Sequence, residues 1–334
     1  MSEIKWSTNL IPFSPCGDKF CSDYRGAYTM EERIRAASKI KGLQGIELHY
    51  PDIVNEENLS IVKKSLSDTE LVCSLVTPSL SGEAKWMRGA LTNSNTQLRK
   101  EAIERVKKAM DVSVELRANK INLWPGQDGY DYPLQTDYLR SWNMIIEAVN
   151  ECALYNPKVK ICLEYKLKEP RTHVFMGTVG KILFLIDSVN LENVGGNLDV
   201  GHAFIAYENP TESALLLHQK GKLFHVHLND NSADWDWDMI AGTMHLFEFL
   251  EFLFWLREID YSGWYSFDQY PAREDPIKAI QLSIDNLESL REVIECVDAS
   301  GLKEAFENQD FIKSLELIRP VLYTKNKSEI NRKA

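Results

Sequence analysis

The chain has 334 residues, 44% hydrophobic and 26% charged, enough for one large core or two domains around a deep site. Its formal net charge of −11 argues against a surface dominated by phosphate-neutralising Lys and Arg, so a nucleic-acid partner is not expected. Six cysteines are scattered with no CxxC pair, and there is neither an apolar signal region nor an apolar run of about 18 residues. Free thiols, a cytoplasmic location and no membrane partner are the expectation.

In chain order, short β-branched runs alternate with longer stretches of helical spacing, strand then helix, eight times. Strands are predicted at 6–13, 44–50, 71–78, 120–124, 159–165, 196–200, 223–228 and 264–269. Helices are predicted near 29–40, 56–67, 96–117, 134–154, 178–189, 210–220, 245–258 and 275–294, with Thr29 and Asn209-Pro210 as opening caps. Such alternation calls for a parallel sheet with helices outside, and eight units favour a closed α/β (β/α)8 TIM barrel. The rival is an open doubly wound sheet, which would want a Gly-rich phosphate turn after the first strand; "IPFSPCGDKF" holds one glycine. Outside the repeat lie a long loop at 81–95 and the segment after the eighth helix. We therefore expect a catalytic barrel over 1–295 and a helical tail over 296–334. Its apolar part, "FIKSLELIRPVLY", suits an oligomer contact, and its end, "TKNKSEINRKA", is polar and expected to fray.

The unusual residues fall at the predicted C-terminal strand ends, where barrels of this class place their sites. Glu164, Asp199, His227 and Asp268 put three carboxylates and an imidazole on four successive strands, a set that repels itself unless a divalent cation sits among it. Mixed oxygen and nitrogen donors suit Mn²⁺, Co²⁺, Mg²⁺ or Zn²⁺. His225 and His227 share a strand face, so one can be a ligand while the other supports it or faces a substrate. Downstream, Asp234, Asp236 and Asp238 share one parity and Trp235 and Trp237 the other. With His202, three residues after Asp199, two of those aspartates can form a second metal site; a solvated acidic loop is the plainer alternative.

On these residues the chain resembles the xylose isomerase-like barrel superfamily, in particular its sugar isomerase branch with the xylose and L-rhamnose isomerases, over roughly residues 1–295. The resemblance implies a first metal held by Glu164, Asp199, His227 and Asp268. It implies a second, mobile one held by His202, Asp236 and Asp238, with Asp234 in place of Asp238 left open. Lys166, two residues after the first ligand, would polarise a substrate oxygen, and His49 with Asp52 would bind the sugar and open its ring. Trp124, in "WPGQDG", would wall the sugar together with Trp235 or Trp237. His225 would lie next to the ligands or the substrate.

The activity implied is aldose–ketose isomerisation of a free monosaccharide such as xylose, rhamnose or apiose by a metal-assisted hydride shift, in a homodimer or homotetramer. Three alternatives stay open. A ketose 3-epimerase of the same superfamily would normally carry glutamate where Asp268 stands. A metal-dependent DNA repair endonuclease would want a histidine where the third strand reads "LVTPSLSG". A non-catalytic sugar-binding barrel leaves the ligand set unexplained.

Overall fold

The computed structural model describes residues 4–323. Eight parallel strands close on themselves: β1 (Lys5–Asn9), β2 (Leu43–Tyr50), β3 (Val72–Pro78), β4 (Lys120–Leu123), β6 (Lys160–Glu164), β8 (Val194–Asp199), β9 (Leu223–Leu228) and β10 (Trp264–Phe267), the last pairing with β1. Two short strands, β5 (Gly129–Tyr130) and β7 (His173–Val174), pair antiparallel outside the barrel. Between the barrel strands run α1 (Met30–Ala37), α2 (Leu59–Thr69), α3 (Thr96–Glu115), α4 (Tyr138–Tyr155), α5 (Val179–Val189), α7 (Pro210–Gln219) and α8 (Leu246–Glu258), and α9 (Pro276–Glu295) follows β10. This is the TIM barrel expected from the alternation. No helix of the described residues is long and apolar enough to cross a membrane.

The helix starts follow from their caps. Thr29 and Glu32 form a reciprocal capping box on α1, and Asn209 caps α7 with Pro210 at its first turn. The first strand stops at Asn9, short of the expected residue 13, because Ile11–Phe13 turn into a 3-10 helix led by Pro12, which has no N–H to give a ladder. The sixth barrel strand, β8, ends at Asp199, whose carboxylate accepts from the His202 N–H at 2.8 Å and opens the short helix α6 (Val200–Ile205). His202 is thus presented from a helical turn at the barrel mouth.

The apolar core lies between the outer face of the barrel and the helices: Ile46, Leu48, Val76, Ile121, Leu163, Val226 and Phe267 from strands meet Ile34, Val106, Ile145, Ile182, Leu217 and Phe252 from helices, all buried. The barrel interior is polar instead of the usual Val, Ile and Leu layers. Ser7 and Ser74 share a 2.5 Å hydrogen bond, Asn197 donates to Asn122 at 3.1 Å, Asn122 donates to Glu164, and His225 meets Glu47 at 2.8 Å.

The long loop at 81–95 is tied down by the fully buried Asp128, whose carboxylate accepts from the N–H groups of Ala90, Leu91 and Thr92 and from the Thr92 hydroxyl. After α9 come α10 (Ala299–Glu307), which buries Leu302 and Ala305, and α11 (Phe311–Tyr323), the apolar stretch predicted to be helical. The polar end expected to fray, 324–334, lies outside the described residues. All six cysteines are free thiols, and Cys16, Cys73, Cys152 and Cys162 are buried.

Candidate functional site

A cavity of about 280 Å³ opens at the C-terminal ends of the strands. Among its lining residues are Glu164, Asp268, His227, His202, Asp236, Asp238, Lys166, His49, Asp52 and Trp124. The four first-cluster residues, Glu164, Asp199, His227 and Asp268, each offer a ligand atom within 4.8 Å of the others. His227 Nδ1 is 3.2 Å from Glu164 Oε1, 3.6 Å from Asp268 Oδ2 and 3.8 Å from Asp199 Oδ2. Amide side chains hold the carboxylates in place: Asn9 donates to Asp268, Asn122 to Glu164, and Asn229 to both oxygens of Asp199 at 3.1 and 2.9 Å.

These groups titrate away from their ordinary ranges. Burial pushes Asp268 up to about 7 and raises Asp199 as well. Burial also opposes ionisation of Glu164, yet the adjacent His227 imidazolium outweighs it and holds that carboxyl down to about 2. Burial alone would lower His227; the carboxylates of Glu47 and Glu164 raise it well above its usual value. Three carboxylates and one imidazole, crowded together and all but Asp268 buried, are a donor set that fits a divalent cation.

The second cluster forms around Asp236. Its Oδ2 lies 3.1 Å from His202 Nε2 and 2.6 Å from Lys166 Nζ, and Lys166 also reaches Glu169 at 2.5 Å. His202 Nδ1 and Asp236 Oδ1 are buried without a hydrogen-bond partner. Both residues line the cavity, and these two atoms leave ligand capacity unused there. Burial would lower His202, but Asp199 and Asp236 carry it up to about 9. Lys166 is likewise raised, burial being outweighed by Asp236 and Glu169, and its ammonium sits 5.3 Å from the Trp124 ring.

Asp238 lines the same cavity, while Asp234 is exposed and accepts from Ser232 and from Trp237 Nε1 at 2.9 Å. Burial lowers His49, keeping it neutral near pH 7. Its Nδ1 is buried without a partner, so the expected orienting bond from the exposed Asp52 does not reach that nitrogen.

Three expected substrate contacts stand elsewhere. His225 is wholly buried two residues below His227 and bonded to Glu47, so it faces the barrel interior and no substrate. Trp235 and Trp237 are 39% and 54% exposed and line no part of the cavity. The alternating parity fails because residues 231–238 bend, with Ala233 and Asp238 at φ 63° and 47°, and only an extended backbone alternates its faces. Trp235 instead lies under Lys168, and Trp237 borders a neighbouring hollow.

Sequence reasoning missed Glu47, buried and 3.1 Å from His227 Nε2, together with Asn122 and Asn197. The signal was available: Glu47 precedes His49 by two, Asn122 precedes Trp124 by two and Asn197 precedes Asp199 by two, so each shares a strand face with a residue singled out.

The sequence profile of the xylose isomerase-like TIM barrel family matches residues 34–293. The chain belongs to that family. Among the relatives of this family member is the xylose isomerase of Thermus thermophilus, 27% identical over an alignment 284 residues long that covers 81% of this chain and 72% of the relative. A D-tagatose 3-epimerase-like protein superimposes with a TM-score of 0.67 at 21% identity, over 86% of this chain and 99% of the other. The D-allulose 3-epimerase of a Methylomonas species does so with 0.66 at 18% identity, over 87% and 97%. At those identities the likeness establishes the fold that the xylose isomerase-like family shares.

Proposed function

We propose that this family member is a divalent-metal-dependent aldose–ketose isomerase of a free monosaccharide. The observation that carries this reading is Lys166, a buried ammonium inside the cavity, set against the Asp236–His202 pair and two residues beyond Glu164. A 3-epimerase working with one metal and two acid–base glutamates has no use for that lysine, and the last barrel strand offers Asp268, one carbon too short. The epimerase stays as the second reading because several solved structures of like fold are 3-epimerases.

Isomerisation moves one hydrogen between C1 and C2 while a carbonyl and a hydroxyl exchange places, so negative charge builds on both oxygens. Glu164, Asp199, His227 and Asp268 would hold one cation and His202, Asp236 and Asp238 a second. Mn²⁺ or Co²⁺, or else Mg²⁺ or Zn²⁺, supplies Lewis-acid stabilisation of those oxygens when bound. Lys166 donates to the carbonyl oxygen and adds fixed positive charge where electron density collects. His49, neutral and beside the cavity, takes and returns the hydroxyl proton as the ring opens. Trp124 presents an apolar face to the sugar's C–H bonds and keeps water off the reacting carbons.

Lys166 is the single Lys or Arg among the described residues lining the cavity, and carboxylates already engage it. Of the loop cations that could have met a phosphate, Lys85 and Arg171 are paired with Glu101 and Asp131, and Arg88 is exposed and lines no part of the cavity. That charge balance supports a neutral, unphosphorylated sugar such as xylose, rhamnose or apiose. We also assign the protein to the cytoplasm as a homodimer or homotetramer, with a catalytic barrel over 1–295 and a tail over 296–334. The exposed Phe311, Ile312 and Leu315 of α11 support the tail as a subunit contact.

The test is turnover of free aldoses and ketoses by stripped and metal-reconstituted protein, with products read by NMR in D₂O. Metal-dependent interchange that retains the C2 hydrogen is expected. Solvent deuterium at C3 of a ketose would replace the isomerase with the epimerase.

A further inference from the structure

Beneath the first cluster runs a row of buried polar groups that the proposed chemistry does not use: Lys120 at the start of β4, His225 on β9 and Glu47 on β2, leading to His227. Their hydrogen-bond roles can be assigned in order from one fixed end. Lys120 Nζ is an ammonium and only donates; it lies 3.2 Å from the Phe224 carbonyl oxygen and 3.3 Å from His225 Nδ1, so that nitrogen accepts. An imidazole that accepts on one nitrogen carries its proton on the other. His225 Nε2 therefore donates, to Glu47 Oε1 at 2.8 Å.

The carboxylate of Glu47 can only accept, and His227 Nε2 stands 3.2 and 3.1 Å from its two oxygens, so Nε2 is the donor there. With Nε2 held by Glu47, Nδ1 is the ring nitrogen left to face Glu164, Asp199 and Asp268, at 3.2, 3.8 and 3.6 Å, with the Asn197 amide 3.1 Å away.

We propose that Lys120, His225 and Glu47 form a positioning column that keeps the His227 proton on Nε2 and thereby makes Nδ1 the atom presented to a divalent cation. The inference rests on the first cluster being a metal site. It differs from a merely packed polar interior because each member holds the next by a directed hydrogen bond, so a change three groups from the cation is expected to be felt at it.

Two measurements test it. In protein loaded with diamagnetic Zn²⁺, long-range ¹H–¹⁵N correlations of the histidine rings, with the His225→Gln variant separating the two β9 rings, are expected to show the Nε2–H form of His227. Chelator competition with Zn²⁺ is expected to show affinity at the first site falling roughly 10- to 100-fold in Glu47→Gln, with part of the loss recovered in Glu47→Asp. Lys120→Met, at the far and partly buried end, is expected to weaken Zn²⁺ several-fold, and it serves if Glu47→Gln fails to fold. A His227 proton on Nδ1, or Zn²⁺ affinity unchanged in both Glu47→Gln and Lys120→Met, would overturn the column while leaving the metal site standing. Wild-type protein that binds no Zn²⁺ would instead sink the metal-site reading, and the column with it.

Discussion

Lys166 carries the contrast between the two readings of the site, so its removal is the sharpest single-residue test. Lys166→Met is expected to leave metal content intact and remove most turnover, checked by metal analysis beside initial rates; near-normal activity would end its polarising role. Asp236→Asn with Asp238→Asn is expected to bring metal stoichiometry from two toward one.

His225 makes a separate prediction about pH. Burial and the neighbouring Lys120 press it down to about 4 from 6.5, so the unfolded chain binds the proton more readily than the native state. Its contribution to stability is full above pH 6.5 and is lost as pH falls toward 4, roughly 3 kcal/mol over that window at 1.36 kcal/mol per unit. Asp268 works in the opposite sense, because a carboxyl raised from 3.8 to about 7 destabilises the fold as pH climbs between those values. The histidine contribution is therefore the difference between wild type and His225→Gln in thermal unfolding of metal-free protein, expected as a shallower acid slope in the variant.

At the scale of elements, strand and helix order was legible from period and caps, and the clustering of Glu164, Asp199, His227 and Asp268 from their places at strand ends. Glu47 was legible too, by parity with His49. What could not be read depended on backbone turns with no compositional mark. Ala233 and Asp238 take left-handed conformations without glycine, and an antiparallel bridge from Asp230 to Met239 folds the segment between them back. Parity, a property of extended chain, therefore misplaced Trp235 and Trp237. His202 reaches Asp236 as expected, though by a route the sequence did not mark: Asp199 ends its strand by capping α6, and the carboxylate that suits a metal also suits an N-cap.

Asp128 was hidden because its partners, Ala90 to Thr92, are distant in sequence and are backbone groups of any residue type. Asp128→Asn replaces one acceptor oxygen by a donor facing those N–H groups. It is expected to cost roughly 1–3 kcal/mol and to speed hydrogen exchange across 81–95 while leaving the α3 amides protected.

For the molecule as a whole, a cation on the first cluster would neutralise three carboxylates and engage an imidazole from four strand ends at once, Glu164 on β6, Asp199 on β8, His227 on β9 and Asp268 just after β10. Chelation is expected to lower the thermal midpoint, and resupplying Mn²⁺ or Co²⁺ at about 100 times the dissociation constant to restore about 2.7 kcal/mol. A midpoint indifferent to chelator would separate the carboxylates from metal binding.

The polar barrel interior has a consequence for how such a chain can change. Ser7, Asn122, Asn197, Glu47 and the two β9 histidines bond to one another or to nearby polar groups, while the apolar annulus between strands and helices encloses them without using their side chains. Fold identity and chemical identity are thus written in different residues. New reactions can arise by re-lettering the lining as a hydrogen-bonded set, with the outer annulus left as it stands, and one scaffold can then house isomerases and epimerases at identities as low as those found among its relatives.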